Sequence, residues 1–422
     1  MSSKSNRKIF ISGSWLSVAN IFAGLFGYIY QIMLGRLLIP VEYSSFNAIM
    51  AITVIFISPF SSIFIIISRR ISHYRSLNDR NGQVSFFLRV LTRTIIFSFI
   101  SLIFVFTFQD YLLLFIGFNS EIILYLLTAI VSFSALQLIN NAYFQANYFF
   151  SAFATIAVST VILKIILSYI LINQNDGIAL YPLIATALAV FIVWFITTVF
   201  IWKKENDRFT LKNFDENNID KFPYKTILPT IIATTSFAII SQIDIFFVNK
   251  FFKGDIAGHY AAAAILGKAI MYIPVGIIMA IFPVVAEDSF SNRNTGKIIL
   301  YASLITFLIC FSGSVFYFFF AEFIIDLLYG ESYKDAAFIL KWYGFSIIPL
   351  ALVMVAEYYL IAKGRVLFAW LFLFVTPLEI YLMYIWHDES WQIMTTMGLS
   401  GLLLLVIGYT FVLKNFFSYK VS

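Results

Sequence analysis

Long apolar blocks and short polar breaks alternate along almost the whole of this chain. Twelve blocks stand near residues 10–34, 46–67, 86–108, 120–141, 150–172, 179–202, 226–248, 260–284, 298–320, 336–361, 366–386 and 391–413. A helix needs about 20 apolar residues to cross a bilayer core, and each block comes close to or exceeds that length. The pattern predicts an all-α integral membrane protein with about twelve transmembrane helices. The first block follows the basic stretch MSSKSNRK. It is too long for a signal-peptide core and no small-residue cleavage site follows it, so it reads as a retained span.

The longest polar break, KKENDRFTLKNFDENNIDKFPYK, lies between the sixth and seventh blocks. Its mixed charges read as a solvated linker. It divides the chain into an N-lobe (residues 1–202, six spans), a linker (203–225) and a C-lobe (226–422, six spans). The lobes match when one is slid by 214 residues: LGRLLIPVEYSSF falls on VNKFFKGDIAGHY, so that Arg36 meets Lys250, Pro40 meets Gly254, Ser44 meets Gly258 and Phe46 meets Tyr260. One residue out of that register, Gly117 meets Gly330. Both lobes start on the same side of the membrane, so the expected symmetry is a pseudo-twofold parallel repeat. Transporters use such repeats to place a substrate site between two lobes.

Composition agrees. The chain is 61% hydrophobic and 12% charged, where a soluble domain carries about 25% charged residues. Its 49 Phe and 24 Tyr suit lipid-facing surfaces and interfacial belts. The basic residues are unevenly placed. Alternate breaks, beginning with the N-terminus, hold Lys4, Arg7 and Lys8, then Arg69, Arg70, Arg75, Arg80, Arg89 and Arg93, then most of the linker lysines. The opposite breaks hold only Arg36, Lys250, Lys253 and Lys334. The positive-inside rule then places both termini in the cytoplasm. The net charge of +6 follows from this topology and does not point to nucleic acid. The single cysteine, Cys310, can form no internal disulfide.

Enzymatic chemistry is hard to find. The pair Gly267–Lys268 lacks the upstream glycine and the following Ser or Thr of a phosphate-binding loop. His73, His259 and His387 are scattered, so no metal cluster is readable. No catalytic residues, cofactor or metal are expected. A membrane glycosyltransferase or polymerase has similar composition but needs a larger outer domain than these short loops offer. A scaffold for a polysaccharide assembly complex is a further alternative.

What remains is charge inside the apolar blocks: Lys164, Asp244, Lys268, Glu357 and Glu379. A charge facing lipid at mid-bilayer costs about 3 kcal/mol or more, so these groups should face a cavity, water or one another. Each also has a structural reading. Asp244 stands near a helix end, Lys268 can extend outward to headgroups, Glu357 is near the interface, and Glu379 follows the helix-opening Pro377. Asn20, Gln31, Gln137, Asn140, Asn141 and Gln242 add polar groups that either join helices or line a hydrophilic path. Pro59 and Pro274 occupy nearly corresponding places in the two lobes, as kinks that either bend or do not.

The segment QIDIFFVNKFFKGDIAGHYAAAAILGKAIMYIPVGIIMAIFPVVAED resembles the second-lobe signature of the polysaccharide transport family, the Wzx-type flippases of the multidrug/oligosaccharidyl-lipid/polysaccharide exporter superfamily. Asp244, Gly258, Tyr260, Pro274 and Pro283 carry the likeness. GRLLIPVEYSSF resembles the first-lobe version, with Ser44 in place of the usual Gly, and LLYGESYKDAA resembles the outer loop before the tenth span. The resemblance implies a flippase of the bacterial inner membrane, carrying undecaprenyl-pyrophosphate-linked oligosaccharide to the outer leaflet by alternating access. It also implies membrane lipids, a polysaccharide polymerase and chain-length proteins as partners. Lys164, Lys268, Asp244, Arg36, Asn141 and Gln242 are the expected cavity residues, and Asp244 and Glu379 the expected ion-coupling residues. A cation-coupled multidrug antiporter and a lipid II flippase of the same superfamily are the alternatives.

Overall fold

The computed structural model describes residues 22–117, 120–175, 177–205, 224–274, 296–362 and 367–418. Among them the regular structure is entirely helical, as a bilayer demands of an open chain: helices satisfy every backbone group internally. In order they are α1 (22–37), α2 (Pro40–Ser76), α3 (Arg80–Thr107), α4 (Gln109–Ile116), α5 (Glu121–Ala146), α6 (Phe150–Asn173) and α7 (Leu180–Glu205). Then follow α8 (Tyr224–Phe251), α9 (Asp255–Tyr272), α10 (Gly296–Leu328), α11 (Ala336–Ala362), α12 (Leu367–Ile385) and α13 (Ser390–Ser418), with a 3-10 turn at Glu331–Tyr333 before α11. Ten of these helices are long and apolar enough to cross a membrane. The chain is a multi-pass membrane protein.

Two further expected spans, 10–34 and 260–284, are described only over α1 and from α9 to Pro274. The rest of each, with Asn20 and Pro283, and most of the linker (206–223), lie outside the described residues. Elsewhere the helices overrun the apolar blocks. α2 continues through the polar SRRISHYRS as far as Ser76, because nothing breaks it before Asn78 turns to φ 55°. Asp79 then caps α3, its Oδ1 accepting from the Gly82 N–H at 2.8 Å.

The described chain forms two compact units. The first lies within Met1–Leu37 and Pro59–Phe222, the second within Leu38–Ser58 and Pro223–Ser422. The opening half of α2 therefore groups with the later helices, and Pro59 stands where the grouping changes.

In the first unit α5 packs against both α3 and α7, and α6 lies along α7. Side-chain amides and hydroxyls join these helices. Asn140 Nδ2 donates to the hydroxyls of Thr197 and Thr198, both at 2.9 Å, and Thr197 donates to Gln137 Oε1 at 3.2 Å. Tyr143 donates to Glu205 at 2.7 Å. Gln137 and Asn140 thus join helices, the first of the two roles open to them from sequence.

In the second unit α11 is central, touching α9, α10 and α13, while α12 lies against α8 and α13. Small residues set these approaches: a Cβ on Gly344 would meet Ser314 of α10, and one on Gly398 would meet Ser346 of α11. The start of α2 docks here as well. Tyr333 of the 3-10 turn donates to the Leu38 carbonyl, and Tyr43 and Tyr329 bond through their hydroxyls at 3.1 Å. Ser44, which departs from the usual glycine, is buried in α2 and donates to Asn249 Oδ1 at 2.9 Å. Gly117 and Gly330, matched in the sequence repeat, both adopt left-handed φ (84° and 88°) just beyond helix ends. That backbone favours glycine and closes a helix by satisfying its last carbonyls.

Candidate functional site

α8 and α9 are joined by a break of only three residues, 252–254, so they run back along each other. Measured from Lys253, Asp244 stands about 13 Å along one helix and Lys268 about 22 Å along the other. The lysine stem makes up the difference, because side chains on a helix lean towards its N-terminus. The Lys268 Nζ lies 2.9 Å from Asp244 Oδ1, and 3.3 Å from Gln242 Oε1. Asp244 is 0% exposed and Lys268 3%.

The carboxylate is fully engaged. Its Oδ2 accepts from the Tyr343 hydroxyl at 2.6 Å and from the Tyr260 hydroxyl at 3.1 Å. Gln242 Nε2 donates to the Tyr272 hydroxyl at 3.1 Å, and the Met397 sulfur lies 3.7 Å from the Tyr343 hydroxyl. An ion pair removed from water costs several kcal/mol per charge unless such hydrogen bonds complete it. Three donors on Asp244 meet that condition.

Tyr343 reaches Asp244 because α9 has no side chain in the way. A Cβ on Gly267 would come within 2.2 Å of the Tyr343 ring. The Gly-Lys pair thus serves packing: Gly267 admits the ring, and Lys268 supplies the counter-charge. Ala261 to Ala264, all fully buried, are small enough to let neighbouring helices close around α9 on most of its circumference.

Glu379 of α12 completes the cluster. It is 0% exposed, and neither carboxylate oxygen has a hydrogen-bond partner among the described residues. It lies within electrostatic reach of Asp244, Lys268 and Tyr260.

Solved structures share this fold. An inward-facing multidrug resistance MATE family transporter of the MOP superfamily matches with a TM-score of 0.75 and 16% identity, over 95% of this chain and 96% of that one. The lipid II flippase MurJ, in an inward closed conformation, matches with a TM-score of 0.70 and 17% identity, over 94% of this chain and 87% of that one. A MATE protein in its straight conformation gives 0.64 at 16% identity, over 98% and 97%. At these identities the likeness establishes the architecture: an all-α, two-lobed membrane fold. No family model and no curated protein matches the sequence.

Of the expected site residues, the structure brings together Asp244, Lys268 and Gln242, with Glu379 beside them. Asp244 and Lys268 do not extend to the interface; each satisfies the other inside the second unit. Lys164, Arg36 and Asn141 belong to the first unit. Lys164 is half-buried on α6 with no hydrogen-bond or ion-pair partner among the described residues. Arg36 is exposed at the end of α1, and Asn141 accepts from Gln137 at 2.9 Å. Glu357 is 2% exposed, with no hydrogen bond or ion pair among the described residues. The sequence reading missed Tyr343 and Tyr272 and quoted Tyr260 only as part of a motif.

Tyr343→Phe is expected to lower stability by about 1.5–3 kcal/mol, the usual range for a hydrogen bond to a charged group. The buried Cys310, the lone cysteine, is a built-in reporter: a thiol-reactive dye labels it only on unfolding. A labelling midpoint identical to that of the unmodified protein would show that the hydroxyl contributes nothing.

Proposed function

We propose that the chain is a secondary transporter that moves an undecaprenyl-pyrophosphate-linked oligosaccharide from the inner to the outer leaflet of the bacterial cytoplasmic membrane by alternating access, without catalysing a chemical change. The observation that carries this reading is Lys164. A cation within a membrane-spanning helix, with no partner among the described residues, is costly unless it serves a ligand. A pyrophosphate is the anionic group such a lysine suits. The fold, shared with a lipid II flippase, supports a lipid-linked cargo. The resemblance carried by Asp244, Gly258, Tyr260 and Pro274 points to the same class. Arg36 and Asn141 are the further polar groups proposed for the sugar path. Polymerase and chain-length proteins are the proposed partners, and both termini are proposed to be cytoplasmic.

One observation favours a second reading. Glu357 is a buried carboxyl group without a partner among the described residues, which suits a cationic drug, and multidrug transporters share the fold. The test is lipid extraction from a deletion strain, with mass spectrometry and a leaflet-selective probe. An undecaprenyl-pyrophosphate oligosaccharide trapped on the cytoplasmic side is the expected result. Lys164→Ala should reproduce the trapping and slow export roughly 10- to 100-fold, the equivalent of about 1.5–3 kcal/mol for a charged hydrogen bond. Absence of any trapped lipid, together with drug sensitivity, would replace this reading with the antiporter.

A further inference from the structure

The buried cluster holds two unmatched capacities. An ammonium has three donors, and Lys268 uses two, on Asp244 and Gln242. A carboxylate accepts at both oxygens, and Glu379 accepts at neither. The charge count is uneven as well: among the described residues Asp244 and Glu379 face a single cation, Lys268. Around them Tyr260, Tyr272, Tyr343 and Gln242 are neutral, and residues 390–410 of α13 carry no charged side chain. A buried carboxylate with no donor is not tolerated as an anion. One proton on Glu379 makes the cluster neutral.

We propose that Lys268 is the mobile charge of a proton-driven switch, shuttling between Asp244 and Glu379 according to whether Glu379 carries a proton. The observed pairing of the ammonium with Asp244 corresponds to the protonated arm of this switch. When Glu379 releases its proton to water, its anion draws the third donor of Lys268. Asp244 then keeps the hydroxyls of Tyr260 and Tyr343, which hold its charge while the lysine is away. No bond other than the O–H of Glu379 is broken. A tethered ammonium that serves the two carboxylates in turn leaves no vacant carboxylate pair for a free metal cation, so the coupling ion of this switch is H⁺ rather than Na⁺. The coupling to export rests on the transporter reading above; the proton site itself does not.

Infrared difference spectra of the purified full chain in lipid test the proton site without any cargo. Expected is a protonated-carboxyl band at acid pH that is lost at alkaline pH. One component of that band should be missing in Glu379→Gln, while the component from the other buried carboxyl, Glu357, remains; the Glu379 component should be unchanged when Na⁺ is replaced by K⁺. Cells carrying only Glu379→Gln, at normal membrane levels and with an unaltered Cys310 labelling midpoint, should trap cargo lipid as the deletion strain does. Glu379→Asp keeps an acid; it should retain the band at a shifted midpoint and restore export, even if the glutamine variant folds poorly. A band indifferent to Glu379→Gln, a band moved by Na⁺, or normal export by a folded Glu379→Gln protein would each overturn the switch. Failure of the deletion strain to trap lipid would sink the cargo reading and leave the infrared result standing.

Discussion

Lys268→Ala is expected to be among the most damaging single substitutions in the second unit, lowering stability by about 3–5 kcal/mol. Removing the ammonium leaves Asp244, 0% exposed, as a buried charge held only by two tyrosine hydroxyls. The penalty comes from the uncompensated partner rather than from the strength of the pair. Two companion variants separate these causes. Asp244→Asn in the Lys268→Ala background removes the stranded charge and should recover most of the loss. Lys268→Met with Asp244→Leu replaces the pair by apolar groups, and such replacement is often neutral or stabilising. That double variant should unfold near the wild-type midpoint yet export no cargo. Dye labelling of Cys310 reads the first property and lipid trapping the second. A Lys268→Ala protein with an unchanged midpoint would mean that the ion pair contributes nothing to the fold.

The contrast between pair and stranded charge bears on why the charges are there at all. If the apolar replacement folds the unit as well, packing does not require Asp244 and Lys268. On that outcome, their presence in a chain that is only 12% charged is what the proposed transport role accounts for. The same argument covers Glu379, which makes no hydrogen bond among the described residues that would account for its presence.

How much of this was legible in the sequence follows from how local each cause is. Apolar length alone decides whether a segment can span a bilayer, so the spans could be placed from their blocks. The overrun of α2 to Ser76 was not visible, since polar residues neither stop nor extend a helix by their hydropathy. Nor was the grouping of Leu38–Ser58 with the later helices, because α2 is continuous and only Pro59 marks the change. In the site, Asp244, Lys268 and Glu379 stood out because charge is rare inside apolar blocks. Tyr343 did not. It is one of 24 tyrosines, and no spacing rule ties a residue of α11 to a carboxylate of α8. Only the three-dimensional convergence of α8, α9 and α11 makes it a ligand.

Gly267→Ala makes that convergence testable. The added methyl would stand 2.2 Å from Tyr343 Cδ1 and 3.0 Å from Cε1, and an aromatic ring has only two torsions with which to escape. Overpacking costs about 1–3 kcal/mol, and a displaced ring also gives up its bond to Asp244, so a loss of about 3 kcal/mol or more is expected. If the glycine exists to admit the ring, the two positions must be coupled. Tyr343→Ala alone opens a cavity and strips a donor from Asp244. With Tyr343→Ala already present, Gly267→Ala should cost almost nothing, since its methyl then enters empty space and alanine favours the helix. The double-mutant cycle should therefore show an interaction of about 2 kcal/mol or more, well beyond the few tenths expected of independent sites. Additive losses would mean that Gly267 answers to some other constraint. A coupled pair would show that a two-residue Gly-Lys sequence, which resembles a fragment of a phosphate-binding loop, is set by the approach of a tyrosine to a buried carboxylate.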